Sequence, residues 1–194
     1  MYLNNSKIIV IKIGSSLLID DKKKIRNKWL YEFSKDIKNL LRKNKKIIIV
    51  SSGAIAVGRT QLGLDASELK LEQKQAAAAV GQILITQAWR HSLKAHNIAV
   101  AQILLTLSDT EERRRHLNAR ATIETLFDLN VVPVINENDT IATEEIRFGD
   151  NDRLAARVAQ MTSADTLVLM SDVDGLYTSD PKSNPDSELL TEVT

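Results

Sequence analysis

Lys12 stands near the end of an otherwise apolar run, Lys7 to Ile13, and is followed by Gly14-Ser15-Ser16. An unpaired ammonium inside a strand loses hydration at a cost of several kcal/mol, and an anion beside it removes that problem. Gly14 permits close backbone approach, while the hydroxyl and N–H groups of Ser15 and Ser16 suit a phosphate. The plainer alternative is a lysine that snorkels out of the strand end before a glycine turn. A second apolar run, Lys46 to Val50, leads through Ser51-Ser52-Gly53-Ala54 toward a helix. Its N–H groups and hydroxyls could hold an anion such as a carboxylate at the positive end of the helix dipole. Ser52 could equally serve only as a helix cap.

The most informative stretch holds two acid-amide clusters, Asn136-Glu137-Asn138-Asp139 and Gly149-Asp150-Asn151-Asp152, which bracket a segment containing Glu144, Glu145 and Arg147. Asn and Asp often do no more than close turns. Two such clusters beside one strand edge favour a site, with amides to bind an amino acid and carboxylates to hold an ammonium or a magnesium ion. A further polar group, Ser171-Asp172-Val173-Asp174-Gly175, follows the apolar run Thr166 to Met170.

Elements that position these residues are readable from hydrophobic periodicity. Continuous rather than alternating apolar runs at Lys7 to Ile13, Lys46 to Val50, Ile98 to Leu105, Val131 to Ile135 and Thr166 to Met170 read as strands covered on both faces. Between them, Trp29, Leu30, Phe33, Ile37, Leu40 and Leu41 share one face of a helix. Leu71 to Ala95, Glu111 to Leu129 and Asp152 to Met161 also favour helix. The Ala-rich stretch from Gln75 to Gly81 suits close helix packing, with a subunit boundary as one setting for it. Alternation of strand and helix predicts an α/β fold, a doubly wound, mainly parallel sheet with helices on both faces and right-handed crossovers. In such sheets ligands bind beyond the carboxyl ends of the strands, where every polar cluster named above falls.

Composition narrows the function classes. The 194 residues are 43% hydrophobic and 26% charged, ordinary for a globular chain with a real core. A formal charge of +1 argues against a nucleic-acid or acidic-membrane coat and for small-molecule partners. The basic runs Lys22 to Lys28 and Arg42 to Lys46 each flank a helix in the manner of a solvated end. With no cysteine, disulfides and thiolate chemistry are excluded. His91, His96 and His116 show no ligand-like arrangement and read as ordinary helix-surface residues, so no protein metal site is expected. The apolar run at Ile8 to Ile11 is interrupted by Lys12 and fails as a signal peptide, and no stretch approaches a membrane span, which makes the expected location cytoplasmic.

The strings IKIGSSLL, IIIVSSGAIAVGR, AAAAVGQ, LNARATIETL, VPVINENDTIATEEI, FGDNDRLAA and DVDGLYTSDPKSNP extend in order over nearly the whole chain. Together they resemble the glutamate 5-kinase family of the amino acid kinase superfamily. Acetylglutamate kinase, aspartokinase and uridylate kinase share the leading Lys-Gly pattern but not the paired VINEND and GDND strings. The resemblance implies transfer of the γ-phosphoryl group of ATP, accompanied by Mg2+, to the side-chain carboxylate of L-glutamate, the opening step of proline synthesis. It further implies that Lys12 stabilises the transition state and that Asp152 orients the catalytic lysines. By the same likeness Ser52, Asp139 and Asn151 contact glutamate, with Asn136 a candidate for the same pocket. Gly14 and Gly53 would line the phosphate path, and Ser171 and Asp172 would border the nucleotide. The implied partners are L-glutamate and ATP, with proline a candidate feedback inhibitor and a homo-oligomer the expected assembly; no nucleic acid or membrane is implied. Family members continue beyond Thr194 with a second catalytic lysine, a glycine-rich loop and in many cases a PUA domain. The chain is thus expected to hold the acceptor-binding part and the start of the nucleotide-binding part of one kinase domain, with a sheet incomplete at its C-terminus. The competing expectation is a non-catalytic remnant that serves as a glutamate-binding or subunit-interaction module.

Overall fold

A computed structural model of the chain describes residues 2–64, 68–141 and 150–192. In chain order the elements are α1 (Tyr2–Asn5), β1 (Ile8–Ile13), α2 (Ser15–Leu18), α3 (Asn27–Arg42), β2 (Lys46–Ser51), α4 (Ala54–Gln61) and α5 (Leu71–Lys94). They are followed by β3 (Ala99–Leu105), α6 (Leu107–Glu111), α7 (Arg113–Asp128), β4 (Val131–Glu137), α8 (Asp150–Met161) and β5 (Thr166–Met170). The strands form one sheet in the order β3-β4-β2-β1-β5, with every pair parallel. The doubly wound expectation is met.

Successive strand residues point to opposite faces, so the Ile and Val runs of β1, β2 and β4 feed two cores at once. On one face Ile9, Ile11, Ile47, Ile49 and Val134 pack with Leu30, Phe33 and Ile37 of α3, Val57 of α4, and Ile85 and Trp89 of α5. On the other, Val10, Ile48, Val50 and Ile135 meet Ile123 of α7 and Leu154, Ala155 and Val158 of α8. Trp89 anchors the first core: its ring meets Phe33 edge-on at 6.2 Å, and its indole N–H donates to the Ser51 hydroxyl at 3.0 Å.

The Ala-rich stretch does pack closely against another helix. Its small residues bring α5 against α4, so close that a Cβ on Gly58 would lie 1.8 Å from the Ala77 carbonyl oxygen, and one on Gly81 would lie 1.8 Å from that of Ala54. The packing is internal to the chain, and it fixes the helix that carries the Ser52-Gly53 turn.

The sequence expects one helix from Glu111 to Leu129, but the structure divides it. Thr106 and Asp109 form a reciprocal cap, with the Thr106 hydroxyl accepting from the Asp109 N–H at 3.2 Å and the Asp109 carboxylate accepting from the Thr106 N–H at 2.8 Å. This starts α6 early, and extended backbone at Glu112 ends it. The interrupted helix leaves the Thr110 carbonyl to accept from His116 Nδ1 at 2.9 Å. His116 is therefore more than a surface residue. His96 also departs from expectation: it follows α5 in a turn, half-buried, with its ring against Tyr31 at 5.7 Å.

At the opposite end of the sheet from the polar clusters, the chain is pinned by Asp165, whose carboxylate accepts from the N–H groups of Ile8 and Lys7 at 2.8 and 2.7 Å. Those donors hold its carboxyl below the ordinary range. Lys45 corrects the reading of its basic run as solvated, because it is buried and its ammonium donates to the Asn4 and Ser6 carbonyls at 2.9 and 2.6 Å.

Candidate functional site

β1 lies between β2, reached through α3 on one face, and β5, which follows α8 on the other. Parallel strands connected in opposite directions leave a crevice at their carboxyl ends. There the structure has a cleft of about 1180 Å³. Lys12, Gly14, Ser52, Gly53, Asn136, Asp139, Asn151, Asp152, Ser171 and Asp172 all line it. These ten sequence-predicted residues are thus brought together along one cleft. Glu144, Glu145, Arg147 and Gly149 lie outside the described residues.

The register explains the gathering. Lys12 lies opposite Val50 on β2 and Leu169 on β5, and Ile13 opposite Ser51 and Met170. The segments that leave these three strands must therefore emerge on the same rim. The Lys12 ammonium finds its anion within the chain, 2.6 Å from an Asp152 carboxylate oxygen in the first turn of α8. The lysine side chain is 14% exposed and the aspartate 42%, so the pair is anchored in the wall and open on the cleft side.

Ser52 does not cap α4. The cap position is Gly53, at φ 96°, a left-handed conformation that suits glycine, and no side chain caps the helix. The Ser52 hydroxyl instead accepts from the Asn151 side-chain amide at 2.9 Å, which also donates to Asn136 Oδ1 at 3.1 Å and reaches the Ser51 carbonyl at 3.4 Å. Asn136 in turn donates to Gln82 Oε1 of α5 at 2.6 Å. The two acid-amide clusters, distant in sequence, are therefore joined by direct hydrogen bonds. Gly14 has an extended backbone, and a Cβ placed on it meets nothing closer than 3.4 Å, so packing alone does not require glycine there.

Across the cleft Asp172 contacts the Lys182 ammonium, and that hydrogen bond lowers its carboxyl pKa to about 2 from 3.8. A carboxyl depressed by folding keeps its contact above the unfolded pKa and loses it as pH falls through the folded one. The pairing is thus complete at neutral pH and lost between 3.8 and about 2. We expect carbon-detected NMR to place the Asp172 midpoint near 2 and Lys182→Met to return it toward 3.8; equal midpoints in both proteins would refute the pairing.

Lys23, Arg59 and Lys182 also line the cleft, and sequence reasoning gave none of them prominence. Lys23 sits at the tip of a short hairpin closed by the Ile19–Ile25 bridge, exposed like the other lysines of its basic run but turned to the cleft. Arg59 lies two turns along α4 from Ser52, a spacing that could have flagged it. Lys182 is carried back by the Asp180-Pro181 turn, where Asp180 accepts from its N–H at 2.9 Å.

The described residues contain no group of His and carboxylate side chains able to hold a metal by themselves, and no helix among them is long and apolar enough to cross a membrane. Residues 7–194 match the model of the amino acid kinase family. The chain is 58% identical over 193 residues to a glutamate 5-kinase of Pelagibacter ubique, covering 100% of this chain and 52% of that protein. It is 60% identical over 189 residues to a glutamate 5-kinase of Paramagnetospirillum magneticum, covering 97% of this chain and 51% of that one. The chain spans about half the length of the curated relatives it matches. Among solved structures, an isopentenyl phosphate kinase of T. acidophilum in its product complex superposes with a TM-score of 0.63 at 18% identity, over 94% of this chain and 78% of that one. That likeness concerns the fold.

Proposed function

Because the chain belongs to the amino acid kinase family, we propose that its cleft brings the side-chain carboxylate of L-glutamate to the γ-phosphoryl group of ATP, giving glutamyl 5-phosphate and ADP. The observation that carries this reading is one rim holding both a cation and a polar acceptor pocket: Lys12 on Asp152, beside the joined Asn136, Asn151 and Ser52. The named relatives at 58 and 60% identity supply the substrate. Lys12, Gly14, Ser171 and Asp172 serve the nucleotide side; Ser52, Gly53, Asn136, Asp139 and Asn151 serve the amino acid; Asp152 orients Lys12.

A glutamate side chain with a reference pKa of about 4.3 is already ionised at neutral pH, so no general base is required. A carboxylate oxygen forms a bond to the γ-phosphorus, and the bond from that phosphorus to the bridging oxygen breaks, its electron pair leaving with ADP. The obstacle is repulsion between two anions, which positioning and fixed positive charge overcome. The Lys12 ammonium, held by Asp152, faces the region where charge builds up. Magnesium would accompany ATP, and among the described residues no group of three or more His or carboxylate side chains could hold it alone. When bound it neutralises phosphate charge.

A coupled assay for ADP release with ATP, magnesium and L-glutamate tests the reading, run on this chain and on any longer polypeptide that carries it. ADP should appear only with glutamate. Faster release with acetylglutamate, aspartate or uridylate overturns the substrate, and glutamate binding without ADP from either polypeptide leaves a binding module.

A further inference from the structure

We propose that Gln82, on α5, is a positioning residue that sets the hydrogen-bond polarity of the acceptor pocket and so its preference for a zwitterionic amino acid. The inference rests on the reading of the cleft as an amino-acid acceptor site. Gln82 is 7% exposed and lies behind the pocket wall, one residue after the glycine that brings α5 against α4.

An amide offers an acceptor on one side and donors on the other, and its neighbours decide which way it faces. The Thr86 hydroxyl donates its proton to the Gln82 backbone carbonyl at 2.8 Å, so it presents a lone pair to Gln82 Nε2 at 3.4 Å. That turns Gln82 Oε1 toward Asn136, which meets it with Nδ2 at 2.6 Å. Asn136 Oδ1 must then face Asn151, which meets it with Nδ2 at 3.1 Å. The direction set on α5 is thus passed through two amides to the cleft.

The passage has two results there. Asn151 Oδ1 is left a buried acceptor with no partner among the described residues, ready for an ammonium. Ser52 accepts from Asn151 at 2.9 Å and keeps its own proton to donate, ready for a carboxylate. An ammonium acceptor beside a carboxylate donor is the complement of an amino-acid head group. Without the acceptor on residue 82, the Asn136 and Asn151 amides are free to reverse, and Asn151 then offers N–H groups where a cation must sit.

The test is calorimetric titration of the folded chain with L-glutamate, with thermal midpoints measured alongside. Gln82→Met keeps the volume but has no polarity, and we expect it to weaken glutamate binding about tenfold or more, the loss of one buried hydrogen-bond arrangement. Gln82→Glu presents an acceptor to Asn136 whether or not it is protonated, and should bind glutamate within about threefold of the unmodified chain. A buried ionisable group lowers stability, so Gln82→Glu should melt below Gln82→Met while binding glutamate more tightly. Equal affinity in Gln82→Met and the unmodified chain, or affinities that follow the melting order, overturn the inference and leave the proposed function standing. Thr86→Val, isosteric and one step farther from the cleft, covers the case in which Gln82→Met does not fold: weaker glutamate binding supports the inference and unchanged binding refutes it. If the unmodified chain ignores glutamate but binds another zwitterionic amino acid, and Gln82→Met loses that ligand, the substrate proposal fails and the role of Gln82 stands. Binding of no amino acid at all overturns both.

Discussion

Lys12→Ala is expected to lower kcat by roughly 10²- to 10³-fold, the typical cost of removing one preorganised group that stabilises developing charge. Glutamate affinity should change by less than about threefold, because the amide groups of the acceptor pocket are held by one another and not by Lys12. The asymmetry comes from where the ammonium sits. It is fixed 2.6 Å from Asp152 before any substrate arrives, so it costs no reorganisation when charge passes to the phosphoryl group. Removing it leaves Asp152 without that partner and adds a negative charge to a cleft that must already take two anions. Lys12→Arg keeps the charge with a different shape, and should recover only part of the rate because a planar fork does not replace a compact ammonium. Steady-state kinetics in whichever polypeptide releases ADP, paired with glutamate titration, checks this. A mutant kcat within about threefold of the original would remove Lys12 from the chemistry.

The second large effect lies outside the cleft. Gly58→Ala and Gly81→Ala are each expected to cost about 3 kcal/mol, the upper part of the overpacking range, because the added methyl meets backbone and not the end of a side chain. At 1.8 Å from a carbonyl oxygen no rotamer change gives relief; α4 and α5 have to separate. For a chain of this size such a loss lowers the melting midpoint by roughly 6 to 12 °C. Gly63→Ala is the control, since its surroundings are open within 4 Å and only its left-handed φ of 63° resists, at about 1 kcal/mol. A helix-packing mutant that melts with the control would contradict the contact. The consequence reaches the site, because α4 carries the Ser52-Gly53 turn at its start and α5 carries Gln82 beside Gly81.

The strands and most helices were legible because apolar runs covered on both faces, and apolar stripes at helical spacing, are direct statements about burial. β5 runs from Thr166 to Met170, as the run itself suggests, and α3 encloses the Trp29 to Leu41 stripe. What escaped was set by single contacts. The division at Glu112 depends on a local cap and on a histidine reaching the Thr110 carbonyl, and neither alters the hydrophobic period. Lys45 reads as one more charge in a basic run, yet two carbonyls draw it inside.

The same division applies to the site. Ser52, Asn136 and Asp139 were readable because a polar residue just past an apolar run has few other places to go in a parallel sheet, Lys12 because it interrupts such a run, and Asn151 and Asp152 through the GDND string that carries the family resemblance. Lys23, Arg59 and Lys182 come from a hairpin tip, a helix flank and a turn, whose directions are fixed only in three dimensions. Gln82 was hidden by its setting: within an alanine-rich helix it reads as filler, and its partner Asn136 is 54 residues away.

The pairing of β5 with β1 also bears on synthesis. Among the described strands β1 is synthesised well before its neighbour β5, and the clasp at their base, where Ser6 meets Thr166 at 2.6 Å, cannot close until that later stretch has emerged. A nascent chain halted before β5 therefore leaves β1 as a bare strand edge, the kind of surface that recruits a neighbour or a chaperone.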